Sequence, residues 1–340
     1  MEKKVYSLEI GGKTMVAEFN DWADQANGSV LLRYGNSACL ATVVMGKESD
    51  KDYFPLTVEY EEKFYAAGAI LGSRFMRREG RPSDEAVLSG RIVDRTIRPL
   101  FPKGLKREVQ VIVTILSIED YDTDILAVNA ASLAIATSNI PWNGPVSAVR
   151  IGLEDSSDEL IVNPTYGQRQ DELPPKAKMD LTVSGKDGLV NMIEVNAREV
   201  DEKILDAALL RASEEIEKIQ AWQKNIIAEQ GKKKLPFVAL EITSEIVAAF
   251  AEIIEPKLKA LSGIMTKEAF GEMKSEWAAQ ATLKFPDAES RLLNEYFERR
   301  IDEYVHDLAI KEGKRVDGRA LDEIRPLFAQ AGGISPVIHG

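Results

Sequence analysis

The sequence predicts an α+β fold, or a mixed α/β core, built of mixed sheets with packed helices and followed by an all-α domain. Three patterns carry the prediction. Short alternating strand runs fill the first 60 residues, a continuous β-branched run occupies 109–118, and apolar residues recur at three- and four-residue spacing after Asn196.

The elements follow in chain order. Lys13–Phe19 alternates, Ser29–Tyr34 and Ala38–Met45 are β-rich around a turn containing Asn36, and Phe54–Tyr60 alternates again. Val109–Ile118 (VQVIVTILSI) reads as a strand buried on both faces. Asp124–Ser138, rich in Ala, Leu and Ile, is long enough for a buried helix. Ala148–Leu153, Met179–Ser184 and Leu189–Val195 supply further strands, the last two joined by the hairpin turn Gly185-Lys186-Asp187-Gly188. Leu205, Leu209, Ala212, Ile216, Ile219, Trp222 and Ile226 then mark one stripe of a long helix ending near Gln230. Beyond Thr243 the signals are helical. Ser244 caps a segment carrying Val247, Phe250 and Ile254, and Asp287 opens another with Leu293, Phe297, Ile301, Tyr304 and Leu308. This divides the chain into a core at 1–230, a helical domain at 240–312, and a remainder at 313–340.

A chain of 340 residues with 44% hydrophobic and 29% charged content can bury a substantial core and is not compositionally disordered. It lacks an apolar run of membrane-spanning length, and its alternating first residues lack a secretory h-region. One cysteine, Cys39, forms no internal disulfide, in keeping with a reducing, cytoplasmic setting and no membrane partner.

The net charge of −12 argues against a general affinity for nucleic acid, but its distribution does not. Between Arg74 and Arg107 stand ten Lys or Arg against four Asp or Glu. A basic island in an acidic chain points to a localised anion site. Within it, Gly72–Pro82 (GSRFMRREGRP) has the punctuation of a loop and sets four arginines beside Phe75. Arginine forks take phosphate oxygens bidentately and a ring offers a stacking face, a pairing suited to single-stranded nucleic acid. From residue types alone, an exposed loop whose arginines pair with carboxylates is an equal reading. A helix follows from a Ser83 cap, with Asp84 and Glu85 in its first turn. Arg91, Arg95 and Arg98 lie on one narrow face, with Leu88, Ile92, Val93 and Ile97 turned toward the core. A salt-bridged stripe, with Asp94 as partner, is the bland account of those arginines.

Other chemistries find little support. Two histidines, His306 and His339, and one cysteine make neither a zinc pattern nor a Cys–His nucleophile, and there is no Walker or dinucleotide fingerprint. Asp120, Asp122 and Asp124 suit a capped loop better than a Mg²⁺ site. The chain also carries a faint internal echo. Gln25-Ala26-Asn27-Gly28, with Gly35 beyond, matches Gln330-Ala331-Gly332-Gly333, with Gly340 beyond, as the opening of a duplicated domain would.

The stretch FPLTVEYEEKFYAAGAILGSRFMRREGRPSDEAVLSGRIVDRTIRPLFP (54–102) closely resembles the first ribonuclease-PH-like core of bacterial polynucleotide phosphorylases, and KRVDGRALDEIRPL (314–327) resembles the opening of that family's second core. The helical segment lies where the family places a helical linker. The resemblance implies a homotrimeric ring with a central channel that takes single-stranded RNA 3′ end first. It implies phosphorolysis of that RNA by inorganic phosphate to nucleoside diphosphates, assisted by Mg²⁺ held in the second core, and it allows other RNA-decay enzymes as partners. Phe75, Arg77 and Arg78 match the family's channel loop, with Arg81 just beyond. Arg91, Arg95 and Arg98 join them as candidate RNA-binding residues. No catalytic residue is carried over, since those groups belong to the second core, and this portion alone is expected to be inactive. The alternative is a non-catalytic ring scaffold that recruits decay partners; a small-metabolite enzyme using the arginines for a phosphate is a third reading. The sequence departs from the family pattern at Met76, where a second aromatic is usual, at Ala69 and Leu71 in the loop's approach, and at Val337.

Overall fold

The structure is a computed structural model. It describes residues 3–49, 51, 53–70, 72, 80–121, 123–154, 159–169, 177–237, 242–261, 265–330 and 332–333. The chain divides into two compact units, Met1–Ala239 and Leu240–Gly340.

The first unit holds two sheets. β1 (Lys4–Ile10), β2 (Lys13–Phe19), β3 (Gly28–Tyr34), β4 (Ser37–Glu48), β5 (Leu56–Glu62) and β6 (Arg107–Ser117) form a six-stranded sheet in the order β1-β2-β3-β4-β6-β5. Only β5 and β6 run parallel, joined by a crossover through helix α1 (Asp84–Ile97). Helix α2 (Thr123–Thr137) is buried along its whole length. The second sheet has the order β10-β9-β7-β8, from β7 (Ser147–Glu154), β8 (Leu160–Val162), β9 (Ala177–Lys186) and β10 (Leu189–Ala197), with the short α3 (Tyr166–Arg169) between β8 and β9. The long α4 (Glu202–Gln230) packs on β7 and β9, and Ala212, Ile216, Ile219 and Ile226 are among its buried residues.

The expected hairpin joins β9 to β10. Asp187 and Gly188 both have positive φ, 52° and 76°, as a two-residue turn matching the strand twist requires. The expectation for Val109–Ile118 needs correction. In β6, Val109, Val111, Val113 and Ile115 are fully buried, whereas Gln110 is exposed and Ile112 and Thr114 are partly open. One face packs on the helices and the other does not, and the polar Gln110 and Thr114 mark the open one.

Gly28 fixes how closely α2 approaches β3. A Cβ there would lie 2.2 Å from the Ala134 carbonyl oxygen and 2.8 Å from Ser138 Cβ. Lys234, in the segment after α4, closes the same C-terminal end of α2: its Nζ donates to the carbonyls of Ile135, Ala136 and Ser138 at 2.8–2.9 Å. Those are carbonyls that a helix C-terminus leaves without intrahelical partners. Burial pulls this ammonium down to about 8 from its ordinary value.

The second unit is helical: α5 (Ser244–Ile253), α6 (Glu255–Ala260), α7 (Lys267–Lys284) and α8 (Ser290–Glu312) enclose Phe250, Trp277 and Phe297. Thr243, not Ser244, caps α5, its hydroxyl accepting from Ile246 N. Val247 is 46% exposed, so the α5 stripe runs through Ile246 and Phe250 instead. Helix α8 starts at Ser290 rather than near Asp287 and ends on Gly313 in the left-handed conformation. The chain then turns back, and Met265 N donates to Val316 O at 2.9 Å.

Candidate nucleic-acid interface

Helix α1 is positioned from two sides. Ser83 Oγ accepts from Ala86 N at 3.1 Å, and Asp84 and Glu85 occupy the positive first turn. Gly90 sits against Tyr60 of β5, where a Cβ would stand 3.5 Å from the tyrosine's own Cβ. On the side toward the second sheet, Asn191 Nδ2 donates to Thr96 O at 3.1 Å, and the Thr96 and Ser184 hydroxyls are 3.0 Å apart. The helix therefore bridges the two sheets through its C-terminal half. Ile92, Val93 and Ile97 enter the core as expected, but Leu88 is 56% exposed and Val87 lies open beside it. The buried face runs through Ala86, Gly90, Val93 and Ile97, and Leu88 lies across the helix from it.

The candidate arginines separate along this helix. Phe75, Arg77 and Arg78 lie outside the described residues. Arg81 is exposed at the loop's exit, and Arg91 is exposed mid-helix; among the described residues neither forms an ion pair or hydrogen bond. Arg95 Nη1 meets Glu194 of β10 at 2.7 Å, with both side chains about half exposed. Arg98 bonds Asp94 through two nitrogens, donates to the carbonyls of Phe54 and Leu56 at 3.2 and 3.1 Å, and lies 5.8 Å from the Phe54 ring centre. It anchors the helix end to the start of β5, the salt-bridged role open to it from the spacing. The charge offered outward by the described residues thus lies toward the loop, at Arg81 and Arg91.

Sequence reasoning missed a buried charge network. Arg150 of β7, 8% exposed, donates to Asp180 of β9 at 2.8 Å and to Asp124 at the start of α2 at 2.9 Å, and Arg169 joins Asp180 at 3.1 Å. The signal available was an arginine inside the otherwise apolar AVRIGL. Asp124 is accordingly an internal partner rather than part of an open acidic loop, and Asp122 is not among the described residues. Among the described residues no three His, Cys, Asp or Glu side chains gather as a metal site, and no helix is long and apolar enough to cross a membrane. Cys39 is fully buried, and burial pushes its thiol well above the usual range. His306 is exposed on α8.

Comparison with known proteins agrees with this architecture. The 3′ exoribonuclease family, domain 1, matches residues 11–141, and domain 2 of the same family matches residues 144–215. Between them they take in more than half of the chain. A polyribonucleotide nucleotidyltransferase of Syntrophomonas wolfei is 39% identical over 344 residues, covering 99% of this chain and 48% of that protein. The polyribonucleotide nucleotidyltransferase of Bacillus subtilis is 38% identical over 349 residues, covering 100% of this chain and 48% of its own length. The chain thus spans about half the length of the curated relatives it matches. The crystal structure of rice (Oryza sativa) Rrp46 superposes with a TM-score of 0.50 at 14% identity, over 67% of this chain and 94% of that one, a likeness of fold.

Proposed function

The chain belongs to the 3′ exoribonuclease family, and from that premise we propose that it is the N-terminal portion of a phosphorolytic 3′-to-5′ exoribonuclease, a polyribonucleotide nucleotidyltransferase. The observation that carries this is the match of both family domains in tandem within a chain similar along its length to such enzymes. Its share of the activity is to guide single-stranded RNA and to build the ring. The guiding groups are Phe75, Arg77 and Arg78, then Arg81 just ahead of α1 and Arg91 on its exposed side, while Arg95 and Arg98 hold that helix in place. Phosphate contacts from arginine supply affinity without sequence preference, as a processive channel requires. No catalytic residue is assigned to it. Mg²⁺ serves the reaction by the family resemblance, and the residues of this chain are assigned no share in holding it. The same resemblance supports a cytoplasmic setting, a homotrimer, and inorganic phosphate and nucleoside diphosphates as small-molecule partners.

The test has two arms. Incubated with oligoadenylate, phosphate and Mg²⁺, this chain is expected to release no ADP; sustained, enzyme-dependent release would place a working site within it. In the binding arm, Arg77→Glu with Arg78→Glu is expected to weaken oligoadenylate binding and flatten its salt dependence. Unchanged affinity would remove the guiding role.

A ring scaffold that recruits RNA-decay partners is the second reading, and β10 favours it. Leu189, Val190, Ile193 and Val195 are 37–75% exposed on a strand at the edge of its sheet. An open apolar edge is a surface that assembly covers. A stable trimer without RNA affinity would select the scaffold.

A further inference from the structure

Strand β10 is irregular where it meets α1. Val190 pairs with Gly185 of β9 and Met192 pairs with Ser184, so Asn191 is the extra residue of a β-bulge. Two successive residues then stand opposite Ser184, where a regular strand would turn one of them to the other face. Met192 is buried, and Asn191 turns its amide to α1.

There it closes a ring of hydrogen bonds. Asn191 Nδ2 donates to Thr96 O at 3.1 Å, and Ser184 Oγ donates to Asn191 Oδ1 at 3.0 Å. The Thr96 hydroxyl, 3.0 Å from Ser184 Oγ, is left to donate to it. Thr96 and Ser184 are fully buried, whereas Asn191 is exposed. The Thr96 carbonyl is one of the last four of α1, which lack partners within the helix. Water can satisfy such a carbonyl beside an exposed side chain, so capping alone does not require a bulge. What water does not supply is direction.

Helix α1 has use for direction. Toward its N-terminal half the buried face is Ala86 and Gly90, which give packing little to grip. Arg91, beside Gly90, is exposed, with no ion pair or hydrogen bond among the described residues. It stands five positions before Thr96, about 7.5 Å along the same helix axis. A roll of α1 would swing its guanidinium, at the end of a long side chain, through a wide arc. The Arg95–Glu194 pair crosses the same gap, but between two half-exposed side chains, and such pairs hold orientation weakly.

We propose that Asn191 is a positioning residue for RNA binding: from its bulge it fixes the roll of α1, and thereby the direction in which Arg91 meets phosphate. The proposal rests on the RNA-guiding reading above. Asn191 carries no charge, and its effect on RNA passes through Arg91.

The test measures oligoadenylate affinity by fluorescence anisotropy at several salt concentrations, alongside melting curves. The proteins are the whole chain, Asn191→Ala, Ser184→Ala, Arg91→Ala, and Asn191→Ala combined with Arg91→Ala. Arg91→Ala is expected to lower the slope of log affinity against log salt by about 0.7. Asn191→Ala removes no charge, yet it is expected to lower the slope in the same sense, and to lower it no further once Arg91 is gone. Ser184→Ala unties the amide without altering it and is expected to act like Asn191→Ala. A slope that responds to Arg91→Ala and to neither uncharged variant refutes positioning while the guiding role stands, whatever the melting curves show. Losses that add in the double variant would put Asn191 on the RNA itself, and they too refute it. If no variant moves the slope, positioning and RNA contact by α1 fall together.

Discussion

Arg98 grips Asp94 with two parallel hydrogen bonds, Nε to Oδ2 at 2.9 Å and Nη2 to Oδ1 at 2.7 Å, one helical turn apart on α1. The same guanidinium reaches two carbonyls at the entry to β5, so one side chain ties the end of the helix to the strand beside it. Arg98→Ala is expected to destabilise the first unit by about 1–2 kcal/mol, since the group bonds charged and backbone partners but is 40% exposed. Arg98→Lys recovers only part of this, because an ammonium lacks the planar fork. Chemical denaturation of the three proteins checks it; equal stability would return Arg98 to the list of free RNA-facing charges.

Gly28 tolerates no side chain. An alanine methyl would meet the Ala134 carbonyl at 2.2 Å, and the obstacle is backbone of a wholly buried helix rather than a movable side chain. Gly28→Ala is expected to cost about 1–3 kcal/mol and lower the melting temperature. An unchanged melting curve would mean that α2 can back away from β3. In the internal echo, Gly28 corresponds to Gly333, which is the residue such a duplicated packing would retain.

Lys234 gives the first unit a pH dependence of definite sign. Its folded value of about 8 lies below the ordinary 10.5, so between those limits the unfolded chain binds more protons. Stability contributed at this site therefore rises with pH across that window and is flat below it. The three carbonyl acceptors oppose the shift without reversing the effect of burial. The difference in unfolding free energy between the parent and Lys234→Met is expected to climb from pH 8 to pH 10.5. A flat difference would show that the carbonyls fully offset burial.

Assembly is testable at β10. Ile193→Lys with Val195→Lys places two charges on an exposed edge without touching Met192, the strand's buried residue. If this edge is covered in the ring, sedimentation should show the double variant as a monomer with the parent's melting temperature. A variant that assembles like the parent would assign the ring contact to another surface.

How much of this could be read in the sequence depended on the range of each interaction. The Asp187-Gly188 hairpin and the α4 stripe are local patterns, and both are present as expected. The Arg98–Asp94 pair was open to view because its partners are four residues apart. Arg95 was not, since Glu194 lies 99 residues away on another sheet. Leu88 misled because the buried face of α1 is set by the small residues Ala86 and Gly90, and Leu88 lies across the helix from them. The Arg150 network joins four elements, β7, β9, α2 and α3, that only the folded chain brings together.

Arg91 and Arg95 are one helical turn apart and make opposite predictions. Arg95 is already matched by Glu194, so a phosphate approaching it would have to compete with a carboxylate 2.7 Å away. Arg91 is exposed with no ion pair among the described residues. If α1 lines the RNA path, Arg91→Ala removes one phosphate contact and should lower the slope of log affinity against log salt by about 0.7, the value for one charge on a single strand. Arg95→Ala should leave that slope unchanged and instead loosen the join between α1 and β10. Titrations with oligoadenylate at several salt concentrations separate the two. The reverse result, a slope that responds to Arg95 and not to Arg91, would mean that RNA displaces Glu194 and that the path runs along β10 rather than the loop side of the helix.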